Sequence, residues 1–135
     1  MKVLSMLTLA LGIFFGSVAL GQPTDTLINV GNYQLHFNVT PGVGIPIIFE
    51  SGAGNDGSVW NEVCKRLRQH IGSPLVTYDR AGFGASGIDN NQIDITSEVN
   101  DLQICLKQLK FDGAYFLVAH SLRELRHEIH FQCPG

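Results

Sequence analysis

Three short apolar runs, each followed by a loop rich in glycine or serine, constrain the fold of this chain most strongly. The runs are "IPIIFE", "PLVTYD" and "AYFLVAH", which begin at residues 45, 74 and 114. Runs that are apolar on both faces are typical of buried parallel strands. Segments with helical periodicity separate them, and parallel strands need crossover connections of that kind. The sequence therefore predicts an α/β fold with a parallel sheet.

An antiparallel hairpin is expected ahead of the parallel strands. In "TLINVGNYQLHFNV", two strand-like runs flank Gly31 and Asn32, a two-residue connection typical of hairpins. The two helices between the parallel strands should each bury one apolar stripe. The expected stripes are Val59, Val63, Leu67 and Ile71 in the first helix, and Val99, Leu102, Leu106 and Leu109 in the second. Asp56 or Ser58 is the candidate N-cap of the first helix, which Gly72 should follow.

The first 21 residues indicate a secretory signal peptide. Lys2 precedes the apolar run "VLSMLTLALGIFFGSVAL", and small residues lead to a cleavage site near Gly21. An uncleaved membrane anchor is the alternative, since a spanning helix needs about 18 apolar residues. We therefore expect a secreted or periplasmic protein, or a membrane-anchored one if the segment is retained.

Composition narrows the class of protein. Hydrophobic residues make up 44% and charged residues 16%, which favours a folded core over disorder. The net charge of −3 gives no reason to expect a nucleic acid or an anionic membrane as a partner. Three cysteines are an odd number, without the spacing of a disulfide framework. Cys64 and Cys105 lie in helical patterns, where a buried thiol is the simpler interpretation, and the disulfide state of Cys133 stays open.

Three loops are expected to meet at one edge of the sheet. They span residues 51–57, 79–87 and 120–122, and each follows an apolar run. In parallel sheets, ligands bind beyond the carboxyl ends of the strands, so these loops form the candidate site. The segment "GAGNDG" lacks the Gly-Lys-Ser/Thr ending of a phosphate-binding loop.

Taken together, "IIFESGAGNDGSVW", "VTYDRAGFGASG" and "FLVAHSL" resemble the first half of an α/β-hydrolase. The resemblance covers about residues 27–122 and implies a partial α/β-hydrolase sheet, with the hairpin followed by parallel strands and crossover helices. It implies that Ser121 is the nucleophile of the G-x-S-x-G turn. It also implies that the backbone N–H groups of Ala53 and Leu122 form the oxyanion hole. The 79–87 loop would be structural, with Arg80 holding neighbouring backbone.

Two departures from the family pattern matter. Ala119 and Arg123 stand where the family has glycines, and Arg123 has little room at a closely packed position. The family's acid and His follow later in the chain, and no matching residues are present here. We interpret residues 123–135 as a tail foreign to the family, with a shifted reading frame or a wrong exon junction as the hypothesis. A real truncation or a divergent short protein is the alternative.

The resemblance implies a serine hydrolase that cleaves small esters, lipids, lactones or amides through an acyl-enzyme, without metal or cofactor. Ser121, rather than an aspartate, argues against epoxide or halide chemistry. We expect this form of the chain to be inactive or nearly so. The alternative is a non-catalytic remnant or small binding module with the same partial fold. The outer edge of the third parallel strand should be uncovered, and the oligomeric state is left open.

Overall fold

The computed structural model describes residues 21–89 and 94–120. The predicted signal peptide, except Gly21, and the predicted foreign tail lie outside these ranges. Within them, no helix is both long enough and apolar enough to cross a membrane.

The described strands form one mixed sheet. They are β1 (Thr24–Asn29), β2 (Gln34–Thr40), β3 (Ile47–Glu50), β4 (Leu75–Tyr78) and β5 (Phe116–Ala119), in the spatial order β1-β2-β4-β3-β5. The pairs β1–β2 and β2–β4 are antiparallel, whereas β3 is parallel to both β4 and β5. The predicted hairpin and the predicted parallel strands are therefore confirmed.

The predicted first helix is shorter than expected. A 3₁₀ turn (Gly57–Trp60) precedes α1 (Asn61–Leu67), so the helix ends five residues before Gly72. Of the two candidate N-caps, Asp56 is correct for the 3₁₀ turn, because its carboxylate accepts a hydrogen bond from the Ser58 N–H. The second predicted helix is α2 (Ile95–Gln108), and the Asp94 carboxylate caps it through the Ser97 N–H.

The predicted apolar stripe of the first helix is right for Leu67 and Ile71, which pack on the sheet, and wrong for Val59 and Val63. Val59 and Val63 are 43% and 40% exposed, whereas Trp60 is 9% exposed. Strict spacing of four residues drifts around a helix that has 3.6 residues per turn, so such a stripe leaves the buried face. The residues that pack on the sheet follow the spacing four, three, four: Trp60, Cys64, Leu67 and Ile71.

The two core clusters contain different helices. The larger cluster packs α2 against the hairpin and the central strands, with Phe37, Ile48 and Val76 fully buried. Leu102, Leu106 and Leu109 contribute to it as predicted, and Val99 is half-buried. The smaller cluster joins α1 and the 3₁₀ turn to Phe49 and Leu75.

Both described cysteines are free thiols, and the expected burial is confirmed fully for Cys105 and in part for Cys64. Cys105 is buried and Cys64 is half-buried. Burial raises the pKa of Cys105 to about 12 and that of Cys64 to about 11, so neither thiol is a reactive thiolate near neutral pH. Cys133 lies outside the described residues.

The third predicted parallel strand exists but is not buried. All four residues of β5 are exposed, with Phe116 at 60% and Leu117 at 40%. Among the described strands, β3 is the only neighbour of β5. The expectation of a buried strand was wrong, and the expectation of an uncovered outer edge is confirmed.

Candidate active site

Parallel pairing brings the ends of β3 and β5 together. Glu50 pairs with Ala119 at the last position of the ladder, so Ser51 and His120, the next residue of each strand, leave the sheet side by side. The rings of Trp60 and His120 are 5.1 Å apart, which places the 3₁₀ turn against the end of β5. Ser121 and Leu122, the predicted nucleophile and second oxyanion donor, lie outside the described residues.

Ala53 occupies the tip of a tight turn after β3. The Asn55 N–H donates to the Gly52 carbonyl at 3.2 Å, and Gly54 has a φ of 84°. A positive φ at the third position of a hydrogen-bonded four-residue turn is the signature of type II, with Ala53 at the second position. Ala53 is exposed, lies outside any helix, and its N–H finds no acceptor among the described residues. This N–H is therefore free to donate to a bound group.

Both ends of this turn are held by hydrogen bonds. Ser51 is fully buried, and its hydroxyl donates to the Asp56 carbonyl at 2.8 Å across the base of the turn. The Gly57 N–H donates to the Asp79 carboxylate at 2.8 Å. A Cβ at residue 57 would lie 2.9 Å from the Tyr78 carbonyl oxygen, so glycine allows this close approach. The turn is thus fixed at its base and open at its tip.

Asp79 organises the loop after β4. Besides Gly57, its carboxylate accepts a hydrogen bond from the Ala85 N–H at 2.9 Å and contacts His36 Nδ1 at 2.9 Å. The Ser86 hydroxyl donates to the Asp79 carbonyl at 2.6 Å. These contacts support a structural role for the loop. No sequence pattern indicated the contact with His36, which lies 43 residues away along the chain.

The predicted role of Arg80 was wrong. Its guanidinium contacts carboxylates rather than backbone, at 2.6 Å from Glu98 and 3.6 Å from Glu50. The Tyr78 hydroxyl donates to Glu50 at the end of β3. Burial is the main cause that raises the pKa of Glu50, although Tyr78 and Arg80 oppose it. An acid at the end of an apolar strand was the only sequence signal for this cluster.

The histidines that lie near the site have other partners. His36 Nε2 is 3.2 Å from Asp25, and its other ring nitrogen contacts Asp79. The His120 ring lies against Trp60, which also packs on Phe49. No group of three or more possible metal ligands occurs within residues 21–89 and 94–120.

Comparison with known sequences identifies a relative but no family. No model of a known protein family matches the chain. The chain is similar to the uncharacterized protein YqjL of Bacillus subtilis (strain 168), with 32% identity over 78 residues, which cover 58% of this chain and 30% of YqjL.

Solved structures of longer enzymes share the architecture. The Cif epoxide hydrolase from Acinetobacter nosocomialis is 24% identical with a TM-score of 0.65, and the match covers 74% of this chain and 31% of that one. The epoxide hydrolase VrEH1 from Vigna radiata is 22% identical with a TM-score of 0.64, covering 73% and 32%. The chain thus spans about a third of the length of these enzymes. It has part of the α/β-hydrolase fold.

Proposed function

We propose that the chain is part of a serine hydrolase that cleaves ester, lactone or amide bonds of small molecules. Ser121 is the nucleophile, and the N–H groups of Ala53 and Leu122 are the oxyanion donors. The observation that carries this proposal is the unbonded N–H of Ala53, at the tip of the turn beside the strand that leads to Ser121. Removing one such donor lowers the rate of acyl transfer by about 10²–10³.

The reaction follows from these groups. The Ser121 hydroxyl oxygen bonds to the acyl carbon, and the carbonyl oxygen becomes an oxyanion held by the two N–H groups. The bond to the alcohol or amine then breaks as this leaving group takes up the proton that Ser121 has lost, and water releases the acid from Ser121 in a second step. A base must take the hydroxyl proton. Both ring nitrogens of His36 contact aspartates, and the His120 ring lies against Trp60. Because both histidines already have these partners, we expect proton removal from Ser121, and therefore acylation, to be slow in this chain.

Acyl transfer is favoured over the chemistry named for the structural neighbours. Those neighbours are epoxide hydrolases, but identities of 22–24% relate them to this chain through the fold. On the family resemblance, epoxide opening uses a carboxylate at the position of Ser121. A serine there forms esters with acyl groups, so ester and lactone substrates fit this chain better.

Labelling with a fluorophosphonate probe tests the nucleophile. We expect slow labelling of the wild type, detected by intact mass after hours of incubation, and none in Ser121→Ala. Ser97→Ala, which changes a serine at the start of α2, is the matched control and should label like the wild type. Equal signals from the wild type and Ser121→Ala would overturn the proposal and favour the non-catalytic binding module.

Substitution by proline tests the oxyanion donor. Ala53 occupies the turn position at which proline is favoured, so Ala53→Pro deletes the N–H while keeping the turn. We expect the labelling rate to fall by about 10²-fold, to the level at which one donor remains. Ala53→Ser keeps the N–H and should label like the wild type. Equal rates for the proline and serine variants would exclude Ala53 as a donor.

We also propose that the protein is exported with cleavage after Gly21. The basic start, the apolar run and the small residues before Gln22 support it. N-terminal sequencing of protein recovered outside the cytoplasm should begin at Gln22. Recovery of an intact N-terminus in the membrane fraction would instead support the anchor.

A further inference from the structure

The turn that carries Ala53 depends on a buried hydroxyl beside it in sequence. Ser51 has no exposed surface, and its hydroxyl donates to the Asp56 carbonyl five residues later. Within the described residues, two side chains hold the base of the turn: Ser51 through this bond and Asp79 through the Gly57 N–H. The Asp79 carboxylate also accepts a hydrogen bond from the Ala85 N–H and contacts His36, whereas the Ser51 hydroxyl donates only to the Asp56 carbonyl of this turn.

We propose that Ser51 is a positioning residue that fixes the orientation of the Ala53 N–H. The proposal rests on the proposed function, because it assigns Ser51 to the oxyanion hole of the same site. Ser51 touches no reacting atom; it acts by closing the base of the turn.

The physical reason is preorganisation. A donor stabilises a developing oxyanion only if it already points at the place where the charge appears. The tip of the turn has a single internal hydrogen bond, from Asn55 to Gly52, at 3.2 Å. Without the Ser51 hydroxyl, Asp56 keeps only its role as the N-cap of the 3₁₀ turn, and the hydrogen bond that ties its carbonyl back to the end of β3 is lost. The chain from Gly52 to Asn55 is then held by the single bond from Asn55 to Gly52. The Ala53 N–H then samples orientations that do not face the oxyanion.

The labelling rate tests this in two backgrounds. We expect Ser51→Ala to lower the maximal rate of fluorophosphonate labelling about tenfold, with an unchanged half-saturating probe concentration. The tenfold loss is a fraction of the full effect of one donor, about 10²–10³. In the Ala53→Pro background the N–H is already gone, so Ser51→Ala should cause no further loss. Equal losses in both backgrounds, or no loss in either, would overturn the proposal.

Backbone dynamics provide a readout that is independent of chemistry. NMR order parameters of Ala53 and Gly54 should be about 0.85 in the wild type and below about 0.6 in Ser51→Ala. Ser97→Ala is the matched control, because it deletes a hydroxyl bonded at the start of α2, away from the turn. It should leave both values unchanged.

These readouts separate the two proposals. If the wild type labels no faster than Ser121→Ala, the proposed function fails, and the order parameters alone decide the role of Ser51. A turn that stays ordered in Ser51→Ala overturns the positioning role whatever the labelling shows.

Discussion

The strands β4 and β5 both pair in parallel with β3, yet they differ completely in burial. Both are four residues long and almost entirely apolar, "LVTY" and "FLVA". Every residue of β4 is buried and every residue of β5 is exposed. β4 has a strand on each side, whereas β5 has β3 alone among the described strands. An apolar run therefore specifies a strand, but its neighbours decide how much that strand contributes to stability.

The largest expected effect is a difference between two leucine truncations. Leu75 in β4 is 2% exposed and Leu117 in β5 is 40% exposed. Leu75→Ala should lower the free energy of unfolding by about 3 kcal/mol, as buried leucine truncations do, and Leu117→Ala by less than about 1 kcal/mol. Urea unfolding of the two variants measures the difference. Equal losses would mean that β5 is packed as tightly as β4.

The loops at the ends of the parallel strands should show the same contrast between packed and open positions. Gly84 has a φ of 52°, and a Cβ there would lie 2.2 Å from the Asp79 carboxylate. Gly54 has a φ of 84°, but a Cβ there would meet nothing within 4 Å. We expect Gly84→Ala to cost about 2 kcal/mol in unfolding free energy and Gly54→Ala about 1 kcal/mol, from backbone strain alone. If Gly84→Ala lost no more unfolding free energy than Gly54→Ala, the loop after β4 would be able to move and make room for the Cβ.

The cluster at the ends of β3 and β4 should make stability depend on pH. Burial raises the pKa of Glu50 above its ordinary value in the folded state. Folding therefore favours the protonated acid, and its stabilising contribution is lost as the pH rises from about 4.5 through the folded pKa. Urea unfolding across this range should show Glu50→Gln becoming more stable relative to the wild type as the pH rises.

A second variant sharpens this measurement. The hydrogen bond from Tyr78 lowers the pKa of Glu50, so Tyr78→Phe should raise that pKa further. The loss of stability with pH should then extend to higher pH than in the wild type. A Glu50→Gln difference that is flat with pH would contradict the burial of an ionisable acid at this position.

The smallest effect on stability is expected at the edge strand itself. Phe116 is 60% exposed, so Phe116→Lys should change the unfolding free energy by less than about 0.5 kcal/mol. A charge on an exposed strand opposes edge-to-edge pairing, so this variant should associate less than the wild type at high concentration. Light scattering against concentration measures this. Equal association of both proteins would show that the β5 edge is not where chains meet.

Much of the fold could be predicted because its signals are local. The Gly31-Asn32 connection indicated the hairpin, and the stripe at Leu102, Leu106 and Leu109 indicated the buried face of α2. The face of α1 could not be predicted in the same way. Val59 and Val63 fit a spacing of four residues, but the 3₁₀ turn and the 3.6-residue period turn them outward.

The candidate site was predictable in part. The position of Ala53 after β3 came from the family resemblance, and the structure places it at the tip of an exposed turn, while its role as an oxyanion donor stays a prediction. The predictions for Ser121 and Leu122 stay predictions. The role of Arg80 was missed because its partner Glu98 lies 18 residues later, on a different element.

The sequence by itself determined the order of strands and helices along the chain, the start of the first helical segment at Asp56 or Ser58, and the glycine-rich turns, because these depend on residues close together in the chain. The tertiary structure decided that β4 is buried and β5 exposed, that His36 meets Asp79, and that Glu50 shares Arg80 with Glu98. Those outcomes depend on residues that only the assembled sheet brings into contact. Hydrophobic periodicity shows which face of an element is apolar, and it carries no information about what packs against that face.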